Sequence, residues 1–396
     1  MLEYIRWFIN RGEFGILVPA SAFVHVPNHR AAALLSYSMP RYQPDRLMLP
    51  VHRPGRGRRR GAVVLAAGLG LAAGTAAQGQ DLYFAQPYAA RLHTNPAFAG
   101  LLDDYSVTLS YRNQFPTLAG TFQTGQLAAD YRFADQNSAV GLLLSTDRSG
   151  AIGYTRLEVG GIYAYHARLT EQLSLSGGLQ ASYGNQRISY DNLVFGDQLS
   201  DDGQVVGQTA ETFGDVKPVS YLTVGTGLLL YNDNFWVGAA AHHVNQPDLG
   251  FATEAKLPMR LNFNGGVKYF FLKKTEKLTY REISISPTVN YTRQGGSQRA
   301  EVGLYGTVTP ITLGAIYRGV PLPGASRPQQ LLTAVAGVSV GALRLGYSYD
   351  ISLSQLSADL GGAHEVSLSI RQFDSLEAAW RRLKRRNYPS IPCPAF

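Results

Sequence analysis

Leu173-Ser174-Leu175-Ser176-Gly177-Gly178-Leu179-Gln180-Ala181-Ser182-Tyr183-Gly184 sets its apolar residues on one parity and Ser174, Ser176, Gln180 and Ser182 on the other. Successive side chains of a β-strand point to opposite faces, so this segment has one oily face and one wet face. The same dyad recurs where Ile283, Ile285, Pro287, Val289 and Tyr291 alternate with Ser284, Ser286, Thr288, Asn290 and Thr292. It recurs again in Met259–Phe271, with Arg260, Asn262, Asn264 and Lys268 on the wet face, and in Leu343–Tyr349 and Val366–Ile370. Between Asp104 and Phe373 about fourteen such segments of about ten residues follow one another, the length of a strand that crosses an outer membrane.

The connections alternate too. Long ones are expected at 187–217, 244–256, 319–330 and 352–362, and tight ones at Ala134–Asn137, Leu169-Thr170, Asn232-Asp233, Val308-Thr309 and Gly341-Ala342. Short periplasmic turns facing longer external loops are the pattern of an outer-membrane barrel. Leu272–Arg281, a long Lys-rich turn on the short-turn side, breaks it. Aromatic residues at segment ends, among them Tyr131, Phe133, Tyr163, Tyr165, Tyr269, Phe271, Tyr347 and Tyr349, suit interfacial girdles. The fold expected is all-β: a transmembrane antiparallel up-and-down β-barrel of about fourteen strands spanning 104–373. A soluble β-sandwich or β-helix also alternates, but it explains neither the even strand count nor the loop asymmetry.

Composition agrees. The 396 residues are 45% apolar and 16% charged, with a mean hydropathy of −0.09 and one cysteine. A helical membrane protein, a disulfide scaffold and a Cys-based zinc site are thereby excluded. The formal charge of +8 sits at the ends: ten Arg against three acids before residue 81, and five basic against two acidic residues after 373. The body between is left at −2, too little for a nucleic-acid face.

Residues 48–77 have the parts of a secretory signal: Arg53 to Arg60 as the basic region, Gly61 to Ala73 as the apolar region, and Thr75-Ala76-Ala77 as a small-residue cleavage site. No cysteine stands there, so a lipoprotein is not expected. Residues 1–47 lie upstream of that signal and show no sustained period; an over-extended reading frame with translation starting at Met48 accounts for them. The mature chain would begin near Gln78.

Ahead of the first strand, within 78–103, stands QDLYFAQPYAARLHTNPAFAG, Gln80 to Gly100. It resembles the opening signature of the PorP/SprF family of type IX secretion outer-membrane proteins, carried here by Gln80, Asp81, Phe84, Gln86, Asn95, Pro96, Ala97, Phe98, Ala99 and Gly100. LVFGDQLS (193–200), HHVNQPDLGF (242–251), LPMR (257–260), the Leu343–Phe373 region with His364 and Glu365, and the tail Ile391-Pro392-Cys393-Pro394 are similar as well. The resemblance implies an accessory role in type IX secretion: export or surface attachment of cargo such as gliding adhesins. Its implied partners are periplasmic ring or lipoprotein components, the secreted adhesin and outer-membrane lipids, with the protein in the outer membrane of a Gram-negative bacterium and no cofactor. An outer-membrane diffusion channel or apolar-solute transporter is the alternative that the barrel pattern alone permits, with Arg132, Arg156, Glu158, Arg260, Lys268 and Arg344 facing the lumen.

Read physically, Asn95-Pro96 holds Asn95 extended and starts a turn, and Gly100 permits close approach before the first strand. This segment is expected either inside the barrel mouth as a plug or along the periplasmic rim as an ordered strap. No catalytic constellation is present, and an enzyme is not expected: GxSxG, HExxH and Walker patterns are missing. His242 and His243, adjacent in a strand, are expected on opposite faces. Asp197, Asp201 and Asp202 read as a solvated external loop rather than a calcium loop. In 374–396, Leu376, Ala379, Trp380 and Leu383 recur at helical spacing among five basic residues, a periplasmic tail suited to anionic lipid or an acidic partner, with Cys393 as an unpaired thiol, a contact or a redox point.

Overall fold

The computed structural model describes residues 81–371, apart from 103, 117–120, 134–135, 151–152, most of 190–215, 252, 277–278, 321–329 and 354–360, together with 391–393. The expected signal, the reading-frame extension, Gln80, Asp197, Asp201, Asp202 and the tail 374–390 fall outside the described residues.

The strand segments are β1 (Tyr105–Gln114), β2 (Phe122–Phe133), β3 (Ser138–Ser149), β4 (Tyr154–Arg168), β5 (Ser174–Arg187), β6 (Val219–Tyr231), β7 (Phe235–His242), β8 (Arg260–Val267), β9 (Tyr269–Glu276), β10 (Thr279–Gln294), β11 (Ser297–Val308), β12 (Ile311–Arg318), β13 (Leu331–Val340), β14 (Leu343–Ser352) and β15 (Ala363–Arg371). β8 and β9 lie along the same β10, Gly266 against Thr288 and Tyr269 against Ile285, so they are two halves of one strand interrupted at Lys268. Each strand pairs antiparallel with the next, and β15 returns to β1 with Ser106 opposite Arg371. The result is a closed up-and-down barrel of 14 strands. Closure satisfies the ladder without open edges across the hydrocarbon layer, which is why alternating strands of this kind can span it. No helix among the described residues is long and apolar enough to cross a membrane.

Burial runs opposite to that of a water-soluble protein. In β1, Tyr105, Val107, Leu109 and Tyr111 are exposed, whereas Ser106, Thr108, Ser110 and Arg112 are buried. Leu109 at 52% exposure is typical of the outer band. Exposed Tyr105, Tyr131, Phe133 and Tyr165 ring one end of the barrel, and Tyr111, Phe122, Tyr183 and Tyr347 lie towards the other, as interfacial aromatics do. The wet face of the sequence pattern therefore points into the lumen.

β1 begins and β15 ends at the end that carries the tight turns, including those after β2, β4, β6, β11 and β13. The expected long turn at Leu272–Arg281 is not a turn. Its residues continue as β9 and β10, leaving only 277–278 as the connection. Backbone pairing continues through Tyr269–Glu276 with one irregularity between Ile283 and Ser284, and the Lys content that suggested a loop does not stop two strands from pairing.

Candidate functional site

Residues 81–101 lie inside the lumen and run its length. Asp81 meets Arg156 and Arg260, near the long-loop ends of β4 and β8, whereas Gly100 meets Asp130 near the short-turn end of β2. Local chemistry shapes this path. Asn95 is extended (φ −158°, ψ 121°), as the following proline requires, and its side chain caps the short 3-10 turn Pro96–Phe98 by accepting from the Ala97 amide at 2.9 Å. One turn of helix, α1 (Arg91–Thr94), precedes it, and Gly100 (φ +71°) turns the chain out of the lumen towards β1.

In the long-loop half the attachment is ionic. The Asp81 carboxylate pairs with Arg156 at 3.1 Å, His243 at 2.8 Å and Arg260 at 2.8 Å. Burial pushes this carboxyl up, but Arg260, His243 and Arg156 together outweigh it and hold Asp81 well below the usual carboxylate range. Arg260 also donates to the carbonyl of His93 at 2.8 Å and to its Nε2 at 2.7 Å. Burial, reinforced by Arg260, lowers the His93 imidazole to about 3. The Tyr83 ring has guanidinium carbons of Arg299 and Arg318 at 4.1 Å and Arg112 at 5.0 Å from its centre, a cation–π cluster. Those arginines are balanced by Asp350 and Glu301, at 2.6 Å from Arg112 and 2.8 Å from Arg318. Buried Glu365 on β15 accepts the amides of Ala85 at 2.6 Å and Gln86 at 2.9 Å, and Ser367 donates to the side-chain Oε1 of Gln86 at 2.7 Å.

In the short-turn half the attachment is mostly apolar and steric. Leu92, Ala97, Phe98 and Leu101 pack against Ala128, Ala139, Leu143, Ile162, Leu229 and Trp236 of the wall. Tyr88 lies edge-on to Trp236 (5.6 Å) and Tyr305 (5.8 Å). Asn95 donates to the carbonyls of Leu228 at 3.0 Å and Ala239 at 3.3 Å, and Ser176 donates to the Ala97 carbonyl at 2.7 Å. The wall facing this turn is bare of side chain: a Cβ on Gly178 would stand 2.5 Å from the Ala97 nitrogen, and one on Gly227 would overlap the Asn95 carboxamide. Arg91 pairs with Asp130, which also accepts the Gly100 amide at 2.7 Å.

The sequence profile of the Type IX secretion system membrane protein PorP/SprF matches residues 76–370, about three quarters of the chain. The chain belongs to the PorP/SprF family. No curated protein matches it. Among solved structures, the toluene transporter TbuX of Ralstonia pickettii is similar at 14% identity and a TM-score of 0.42, covering 72% of this chain and 94% of its own. A FadL homologue of Pseudomonas aeruginosa is similar at 12% identity and 0.38, covering 75% and 96%.

In this PorP/SprF-family barrel most signature residues meet the wall. Asp81, Gln86, Asn95 and Gly100 bind lumen-facing groups, Pro96, Ala97 and Phe98 fill the glycine-lined floor, and Phe84 packs edge-on against His93 at 5.6 Å. Glu365 joins them, but His364 points outward, where its Nδ1 lies 2.9 Å from the Tyr347 hydroxyl. Cys393 is a buried residue of the lumen cluster beside Ile391 and Tyr88, and burial pushes its thiol up. His242 and His243 do not face opposite sides. His243 follows the end of β7 in the left-handed region (φ +55°), which turns both rings inward. No cluster that could hold a metal occurs among the described residues. Arg91, Asp130, Arg112, Asp350 and Tyr83 were missed by sequence reasoning. Their lumen-side parity was readable, but partners 39 and 238 residues apart were not.

Proposed function

We propose that this outer-membrane component of the type IX secretion system acts as a docking accessory, assisting export or surface attachment of cargo such as gliding adhesins. The observation that carries this reading is the occupied lumen: residues 81–101 are bound to the wall around most of its circumference, which suits a closed platform rather than an open diffusion pore. The segment acts as a plug. The short-turn end faces the periplasm, as turn length dictates, and the long loops face outward. Periplasmic ring or lipoprotein components then meet the short-turn end together with the basic tail 374–396, and cargo meets loops such as 187–217. The chain arrives by a cleaved signal at 48–77. The protein performs no catalysis of its own.

Deletion of the gene should deplete particular secreted or surface adhesins from the cell-surface proteome, and an unchanged proteome would count against the role. In planar bilayers the purified protein should give no steady conductance. Sustained open channels would favour a diffusion pore or apolar-solute transporter instead.

A further inference from the structure

One strand edge of this otherwise closed sheet is free. β9 has β10 as its single strand neighbour among the described residues. On its other side, β7 starts only at Phe235, opposite Val267, and the last tie is the Lys268 amide to the Asn234 carbonyl at 2.7 Å. From Tyr269 to Glu276 the side of β9 away from β10 carries no strand among the described residues. Across the hairpin, β11 ends at Val308, opposite Ile283. Thr309, just after β11, still binds the Glu282 backbone, so the pairs from Lys274–Arg281 to Glu276–Thr279 are the ones that stand clear of both neighbouring strands. At about 3.4 Å per residue, these three pairs carry the hairpin roughly 10 Å past the rim of the short-turn end.

Chemistry marks this edge as well. Phe271 is 73% exposed at its base. The Lys273 ammonium sits 4.8 Å from the Phe270 ring, while Lys268 and Glu282 neutralise each other at 2.7 Å. By sequence, this stretch then carries Lys273, Lys274 and Arg281 against Glu276, a positive excess along an edge that faces no described strand.

We propose that β9 is a docking edge, to which an acidic, extended segment of a periplasmic protein adds as one more strand along Tyr269–Glu276. Main-chain hydrogen bonds supply the affinity and the basic residues select the partner's charge. Charge disfavours two other occupants. A second copy would set Lys against Lys, and this chain's own segment after residue 373 carries five basic residues against two acidic ones. Anionic headgroups would answer the charge but have no use for an open ladder. The inference rests on the short-turn end facing the periplasm.

The test uses the full-length protein in zwitterionic nanodiscs and a fluorescent peptide of about ten residues alternating Glu and Val. Its controls are a proline-interrupted copy of equal charge and a Lys-for-Glu copy. The acidic extended peptide should bind, the proline-interrupted copy about tenfold or more weakly, and the Lys copy not at all. Two variants should weaken the acidic peptide by at least about tenfold: replacement of 274–281 by Asn-Gly, which leaves the ladder from Ile283 onward intact, and Lys273→Glu with Arg281→Glu. Equal binding of the extended and interrupted peptides would overturn the proposal, because charge alone would then suffice. So would unchanged binding to the shortened variant, or a hairpin that draws the protein to phosphatidylglycerol vesicles while ignoring the peptide. These measurements involve no secretion, so they can fail while the secretion role stands; a changed surface proteome on gene deletion likewise leaves them undecided.

Discussion

The two halves of the lumen hold the same segment by different physics. Near the long loops, Asp81 and Tyr83 are gripped by Arg156, Arg260, Arg299 and Arg318, charges that must leave water to meet. Near the short turns, Asn95 to Phe98 settle onto Gly178 and Gly227 beside an apolar cluster. An ionic clasp is costly to break by removing one partner, because the remaining charge stays buried. A steric seat tolerates salt and pH but not one added methyl group. Apart from the buried Arg91–Asp130 pair, the anchor near β1 thus depends little on conditions, and the far end is the more releasable one.

The strongest way to break that contrast is Gly227→Leu. The side chain would occupy the place of the Asn95 carboxamide, at a cost of about 3 kcal/mol or more. The segment 81–101 should leave its seat, seen as conductance in planar bilayers and as fast amide exchange throughout the segment. Next in size is a matched pair. Asp81→Asn leaves Arg156 and Arg260 without their shared anion, and Phe98→Ala empties a buried ring site; each should weaken seating by about 3–5 kcal/mol. Only the Asp81 substitution should free residues near the long loops while the turn at Asn95 stays protected from exchange. Uniform loss in both variants would show that the halves act as one unit.

Acidification should give the smallest effect. His93 is held neutral down to about 3, below the ordinary value near 6.5, so the unseated state binds more protons between those limits. Seating is therefore fully supported above about 6.5 and weakens as pH falls, by on the order of 2 kcal/mol at pH 5. Asp81 acts in the same direction at lower pH, because its depressed carboxyl contributes stability that is lost as pH falls from the ordinary value near 4 through its own. Amide exchange of residues 82–94 at pH 7 and pH 5 measures this; protection that rises on acidification would overturn the assignment.

The β9–β10 hairpin and His243 show where pattern reading stops. Lys273, Lys274 and Arg281 look like a loop in sequence, yet pairing in register carries both strands past the rim. His243 follows the parity rule until a left-handed backbone at the end of β7 turns it towards Asp81. In the first case a composition rule yields to pairing within a hairpin, and in the second parity yields to a backbone turn that brings His243 to Asp81, 162 residues away.

By itself the sequence determined the barrel: strand number, the face that residues within the regular strands occupy, and the turn at Asn95-Pro96. All of these depend on neighbours within a few positions, where a period of two or a proline acts directly on the backbone. Only the tertiary structure decided that residues 81–101 run inside the lumen, that Asp81 lies between Arg156, His243 and Arg260, that Cys393 is buried with Tyr88, and that one edge of β9 meets no strand among the described residues. Those facts follow from which strands become neighbours when the sheet closes, and parity along a single strand carries no record of that.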